Sequence, residues 1–395
     1  MYGKNNSTME TKNSISSYKI ATAYIGTIVG AGFASGQEVL QFFGVFGIWG
    51  LIGIILITGM FAVFGYGIMK VAKKIKADSH LPVIREVSGA KIGYLIDIVI
   101  TAFLYGAVVT MAAGMGAIFL EEFNLSQTLG SAVLLGLTLV TVLFGIKGVL
   151  STLSVVVPIL MLTVLTISVA SIATNWGTLM GNLSWTATEQ APVPFWPMSA
   201  LIYTSYNIVI AIAVLAPLGL MASDENMKKG AILSGIGLGM GAGIITAAIL
   251  ANVPQVLTVE VPMLLIAGQV SPLLRVFYTV ALIAGVYTTA VACLYGFGAR
   301  VISPESVNFK YLVVGASVIA FFLSGVGFSS LVGILFPAVG YAGLLLLGSL
   351  TYTMLKGYQV NFSQYFNLWR LPGVGYRKLL TGNEKEQNKR RRNKN

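Results

Sequence analysis

One cysteine, one histidine and a charged fraction of only 10% are what this 395-residue chain has little of, and each shortage removes a class of function. A lone Cys293 cannot close a disulfide within the chain, and with His80 as the only imidazole no zinc-type Cys/His cluster can be assembled. Nucleophilic and metal-assisted catalysis need constellations of such groups, so neither an enzyme nor a bound cofactor is expected. A leader-peptide pattern is also lacking: residues 1–17 are polar, without the charged start, short apolar core and cleavage site of a secretory signal. The first apolar segment is therefore expected to stay in the mature protein.

Apolar residues make up 56% of the chain, and 45 of its residues are glycine, a composition far from that of soluble domains. A helix needs about 20 apolar residues to cross a bilayer. Ten such stretches are present, at 18–43, 45–69, 92–120, 128–145, 149–174, 196–220, 230–252, 271–299, 310–324 and 329–355. The expected fold is thus all-α, a polytopic membrane protein with ten transmembrane helices.

Ten crossings put both ends on one side, and basic residues decide which. With the ends inside, Arg275 alone of the 25 Lys and Arg falls in an outer segment, so both termini are expected to be cytoplasmic. The net charge of +11 then belongs to cytoplasmic loops and tail and not to a nucleic-acid surface. The run Lys389-Arg390-Arg391-Arg392 reads as an orientation signal or a contact with anionic lipid.

Within the first stretch, Gly30-Ala31-Gly32-Phe33-Ala34-Ser35-Gly36 interrupts the apolar run, and Glu38 follows at once. Each Gly weakens a helix interior by about 1 kcal/mol relative to Ala, so three together favour local unwinding. Unwound backbone at membrane depth survives only inside protein or beside a wet cavity. A carboxylate there costs at least about 2.5 kcal/mol on insertion scales, so Glu38 needs a partner or a water pathway. Close helix packing through small residues is the alternative use of these glycines.

Transporters built from inverted repeats open each repeat with a broken helix. Stretches one to five span 18–175 and six to ten span 196–356, 158 and 161 residues, so two inverted five-helix repeats are expected. The domain plan follows: a cytoplasmic tail 1–17, the repeats, an extracellular cap loop 176–195, and a basic cytoplasmic tail 357–395. The sixth stretch offers the second break at Tyr203-Thr204-Ser205-Tyr206-Asn207, whose polar groups can bond freed backbone, a ligand or a neighbouring helix.

The segment Gly26-Thr27-Ile28-Val29-Gly30-Ala31-Gly32-Phe33 resembles the broken first helix of the leucine-transporter fold, shared by the amino acid–polyamine–organocation superfamily and the sodium symporters. The longer string GTIVGAGFASGQE resembles the YkvI-like family of bacterial membrane proteins. The resemblance covers about residues 18–356 and implies a secondary transporter of the bacterial cytoplasmic membrane that works by alternating access. It places the polar head of a small-molecule solute at Gly30, Ala31 and Gly32 and at Tyr203, Ser205, Tyr206 and Asn207. Tyr105, which shares a helix face with Asp97 and Thr101, would line the cavity or simply pack.

In that fold sodium is held by carbonyls of the first helix and hydroxyls of the eighth. Carried over, these are Gly26 and Val29 with Gly285, Thr288 and Thr289, an oxygen-only set that suits a hard cation. The Thr pair can equally bond its own helix. Proton-coupled relatives commonly place a Lys in the fifth span; 149–174 contains none, with Lys147 just before it, which favours sodium as the coupling ion. The outer-gate Arg and Asp of the sodium symporters have no counterparts, and Gln37 and Glu38 occupy that neighbourhood as gating or proton-coupling residues. The expected function is sodium-coupled symport of a small amino acid or related amine; the alternatives are a proton-coupled carrier using Glu38 and a non-transporting solute sensor.

Three further signals are structural. Gly235, Gly237, Gly239, Gly241 and Gly243 alternate inside an apolar stretch with no strand before them, which reads as helix packing. Trp176, Trp185 and Trp196 with Pro192, Pro194 and Pro197 read as an interfacial cap or lid. Residues 362–369 read as an amphipathic helix on the inner leaflet.

Overall fold

The computed structural model describes residues 15–144 and 147–356, which are helical almost throughout. The expected amphipathic helix at 362–369, the basic run at 389–392 and most of the two tails lie outside these residues. The first apolar stretch is split into α1 (Ser17–Ile28), α2 (Ala31–Ala34) and α3 (Gln37–Phe42). It is followed by α4 (Ile48–Ile75), α5 (His80–Phe123), α6 (Gln127–Phe144) and α7 (Lys147–Thr174). A short α8 (Trp176–Gly181) leads to α9 (Trp196–Met221) and α10 (Asp224–Leu250). Then come α11 (Pro262–Val270), α12 (Pro272–Val301), α13 (Val307–Ser324) and α14 (Phe328–Leu355).

Nine of the described helices are long and apolar enough to cross a membrane. The divided stretch 17–42 is the segment left over from the ten expected. Burial sorts the nine: 67% of the apolar window of α9 is inside the protein, against 28% for α7, so α9 is central and α7 peripheral. Large apolar side chains such as Ile55, Leu137, Leu162 and Phe322 remain exposed, as a lipid-facing surface requires. Central α9 packs on α4 and α14, α10 packs on α1 and α4, and α5 packs on α6, α12 and α14.

Local chemistry explains the helix ends. The Ser16 hydroxyl caps α1 by accepting from the Lys19 N–H, and Ser223 caps α10 by accepting from that of Asn226. Helix α5 starts at His80, well before the expected 92, because a polar amphipathic stretch precedes the span and joins it across Gly89. Gly89 has φ 77°, a left-handed conformation that a side chain would resist. Both parts of α5 are tied to the end of α12: Arg300 lies 3.2 Å from His80 Nε2 in the polar start, and beyond Gly89 it pairs with Asp97 and donates to the Thr101 hydroxyl at 3.0 Å. The alternating glycines of α10 do pack, with Gly235 and Gly239 pressed against Thr58 of α4 so closely that a methyl group would overlap it.

The break expected in the sixth stretch is absent. Helix α9 runs unbroken from Trp196 to Met221 because its polar residues support it instead of interrupting it. The Thr204 hydroxyl donates to the Ala200 carbonyl at 3.0 Å, and the Asn207 amide donates to the Tyr203 carbonyl at 2.9 Å. Ser205 reaches sideways, donating to the Gly340 carbonyl of α14 at 2.7 Å. Gly340 and Gly343 make this approach possible, since an added Cβ would lie 2.5 Å from Ile202 and from the Ser205 hydroxyl respectively.

Candidate functional site

The site begins with the backbone of the broken stretch. Helix α1 stops at Ile28; Val29 (ψ 91°) and Gly30 (ψ −173°) run extended, and α2 supplies a single turn. Gly36 then takes φ 82°, where an L side chain would be strained, and α3 restarts from it. The freed polar groups find partners, as burial demands. The Ser35 hydroxyl donates to the Gly32 carbonyl at 2.7 Å and accepts from the Gln37 N–H at 3.2 Å. Tyr278 of α12 donates to the Ala34 carbonyl at 3.0 Å, and the Met263 N–H of α11 donates to the Ser35 carbonyl at 3.0 Å.

Glu38 is 6% exposed, and its Oε2 accepts from the Tyr206 hydroxyl of α9 at 2.7 Å. The carboxylate lies over Gly32, in the space a Cβ there would fill. Among the described residues no Lys, Arg or His pairs with it. Around it is an aromatic wall. Tyr206 packs on Tyr203 at 5.3 Å, on Phe42 at 5.8 Å and on Phe336 of α14 at 5.1 Å, and Tyr203 packs on Phe43 at 4.8 Å. The Tyr203 hydroxyl is buried without a hydrogen-bond partner.

On either side of Glu38 along α3, two glutamines tie the broken stretch to the start of α14. The Gln37 amide donates to the Ser329 hydroxyl at 2.6 Å, and the Gln41 amide to the Ser329 carbonyl at 2.9 Å and hydroxyl at 3.0 Å. Both amide oxygens are buried and unpartnered. Together with the Tyr278 and Met263 contacts, this closes the expected outer end over the break. The void between Ala31, Ser35, Leu282 and Phe328 is about 10 Å³, room for about one water.

The predicted residues are brought together unevenly. Gly32, Glu38, Tyr203 and Tyr206 meet where α3 and the break face α9, whereas Ala31 borders the small void beside Leu282 and Phe328, Gln37 reaches Ser329 of α14, and Gly30 has no neighbour within 4 Å of an added Cβ. Ser205 and Asn207 are buried beside them, with side chains committed to Gly340 and to their own helix. Tyr105 points elsewhere: its hydroxyl donates to the Ala316 carbonyl of α13 at 3.2 Å and its ring tilts on Phe297 of α12. In the predicted ion set, Thr288 is buried and its hydroxyl donates to the Ala284 and Gly285 carbonyls at 2.9 and 3.1 Å, while Thr289 is half-buried. That bonding uses the hydroxyl hydrogen and leaves oxygen lone pairs for a cation. Helix α12 packs on α2 and α7, and no described hydrogen bond joins Gly26 or Val29 to Thr288 or Thr289. Gln41 and Ser329 were not foreseen, because 288 residues separate them in the chain.

Solved structures share this fold. The chain superimposes on Mhp1, a nucleobase-cation-symport-1 family transporter, with a TM-score of 0.58 at 13% identity over 90% of this chain and 81% of that one. MhsT in complex with L-phenylalanine gives 0.57 at 15% identity over 83% and 88%, and a Na+-coupled sialic acid symporter gives 0.56 at 12% over 89% and 82%. The fold is the leucine-transporter fold. No family model matches the chain. In sequence it is 30% identical over 338 residues, 85% of its length and 95% of its relative's, to the membrane protein YkvI of Bacillus subtilis (strain 168). The chain belongs to the YkvI family. A second relative from the same organism, YyaD, is 28% identical over 324 residues, 82% of this chain and 92% of that one.

Proposed function

We propose that this YkvI-family protein is a secondary transporter, a sodium-coupled symporter of a small amino acid or related amine in a bacterial cytoplasmic membrane. The observation that carries the reading is the broken first stretch, with Glu38 buried at its restart and held by Tyr206 in the middle of α9. A soluble or purely structural bundle gains nothing from burying a carboxylate beside unwound backbone, and both features cost stability. Two inverted repeats are supported by the packing: the pairs α4 with α9, α5 with α14 and α6 with α12 map onto α10 with α1, α12 with α7 and α13 with α5 when each stretch is exchanged for the one five places away.

In this reading the solute head group binds at Gly30, Ala31, Gly32 and Glu38 against Tyr203 and Tyr206. Sodium is held by the Gly26 and Val29 carbonyls with Gly285, Thr288 and Thr289. The glutamine contacts to Ser329 act as an uncharged outer gate. Sodium binding orders the break, and each ligand favours the conformation the other needs, which is all that coupling requires. With both termini cytoplasmic, opening would separate α3 from the start of α14 on the outside.

The test is uptake of an amino-acid and amine panel into proteoliposomes under an inward sodium gradient. Saturable accumulation that needs sodium is expected. A second reading, proton-coupled transport through Glu38, is favoured by the lack of any cationic partner for that carboxylate. It predicts uptake driven by a proton gradient and abolished by Glu38→Gln.

A further inference from the structure

The polar groups at the site are unbalanced in sign, and that imbalance identifies a ligand. Glu38 brings a carboxylate with one donor, the Tyr206 hydroxyl at 2.7 Å. Gln37 and Gln41, on the same short helix, are 3% and 8% exposed and keep unpartnered carbonyl oxygens. Tyr206, which holds the carboxylate through its hydroxyl, packs its ring on Tyr203, Phe42 and Phe336, so an aromatic cluster lies on that side of Glu38. Among the described residues no cation pairs with Glu38: Arg275 is paired with Glu122 and Arg300 with Asp97. A buried carboxylate beside an aromatic cluster and unpartnered amide oxygens is the chemistry that receives an organic ammonium group.

The position of the carboxylate sharpens the choice. Glu38 lies over Gly32, so the protein's own acid fills the niche beside the break. A zwitterionic amino acid would bring a second carboxylate to a place already holding one, with no Lys or Arg among the described residues paired there to neutralise the two. A bare metal ion is also poorly served, since no group of three His, Cys, Asp or Glu side chains exists among the described residues. We propose that the solute is an organic ammonium cation carrying no carboxylate, with Glu38 as its counter-ion and the rings of Tyr203, Tyr206 and Phe336 against its carbon atoms. Its binding stands on the site alone; that the cation is then carried across the membrane rests on the transport reading above.

The experiment measures equilibrium binding of radiolabelled choline, ethanolamine and putrescine, and separately of glycine and alanine, to the full chain purified in detergent. At least one ammonium probe is expected to bind saturably, and Glu38→Gln is expected to weaken it at least tenfold. Gly32→Ala, which displaces the carboxylate and keeps its charge, supplies a second variant should Glu38→Gln not fold, and is expected to weaken the same probe several-fold. Saturable glycine or alanine binding that no ammonium probe displaces overturns the inference and leaves the transport reading standing. Absence of binding by all three ammonium probes, or binding unaffected by both variants, also overturns it. Binding of a probe that is never accumulated in proteoliposomes under a sodium or a proton gradient would leave the inference standing and refute the transport reading.

Discussion

Replacing Gly32 by Ala puts a methyl group where the Glu38 carboxylate now lies. The added Cβ would overlap Oε1 of Glu38 and sit 3.0 Å from its Cδ. The obstructing atoms are the far end of a flexible side chain, so the carboxylate swings away and the backbone stays. That movement gives up the 2.7 Å hydrogen bond from Tyr206, worth about 1.5–3 kcal/mol for a charged acceptor. Against this, Ala is favoured over Gly in a helix by about 1 kcal/mol. The expected net cost is therefore about 0.5–2 kcal/mol, measured by equilibrium unfolding in mixtures of SDS and dodecyl maltoside. Gly26→Ala serves as the control, because nothing lies within 4 Å of its added Cβ, and it is expected to be neutral or mildly stabilising. The diagnostic result comes from Gly32→Ala combined with Tyr206→Phe. If both act on the one hydrogen bond, their combined cost falls short of the sum by about 1 kcal/mol or more, as coupled sites do. Full additivity would refute the reasoning.

Ser329→Ala removes the partner of the Gln37 amide and leaves Gln41 its bond to the residue 329 carbonyl, a loss of about 1 kcal/mol or about fivefold in the closed-to-open ratio. A cysteine placed at Ser35 in a Cys293→Ala background should then react about fivefold faster with a membrane-impermeant thiol reagent; an unchanged rate contradicts the gate. Gly340→Ala inserts a methyl group 2.5 Å from Ile202 and should destabilise the bundle by about 1–3 kcal/mol of overpacking, whereas no loss would mean that α9 and α14 separate easily. Thr288→Ala combined with Thr289→Ala should raise the sodium concentration for half-maximal uptake at least tenfold, about 1.4 kcal/mol. Fully retained sodium dependence would remove these residues from the ion site.

The break in the first stretch was legible because its cause is local. Gly30, Gly32 and Gly36 weaken the helix by their own backbone freedom, and Gly36 uses that freedom at φ 82°. Long apolar runs likewise carried the nine long helices, with ends close to those expected except at the end of α4 and the starts of α5 and α10, where polar turns continue the helix beyond the apolar run. The sixth stretch misled for the opposite reason. Thr204, Ser205 and Asn207 look like helix breakers in sequence, yet side chains of this kind can bond the preceding turn or a neighbouring helix, and which they choose depends on a partner such as Gly340 that is distant in the chain. The same distance hid the pairing of Gln41 with Ser329 and the aim of Tyr105 at Ala316. Helix α11 lies between two of the expected spans and drew no expectation from the sequence, since its nine residues are too short to cross a membrane, yet its Met263 N–H donates to the Ser35 carbonyl.

The most direct test of the central claim is accumulation in proteoliposomes at fixed membrane potential, comparing an inward sodium gradient with an inward proton gradient for choline, ethanolamine, putrescine, glycine and alanine. The account predicts saturable accumulation that requires sodium and is lost when Glu38 is replaced by Gln. Accumulation driven by protons alone, or binding with no flux under either gradient, would contradict it.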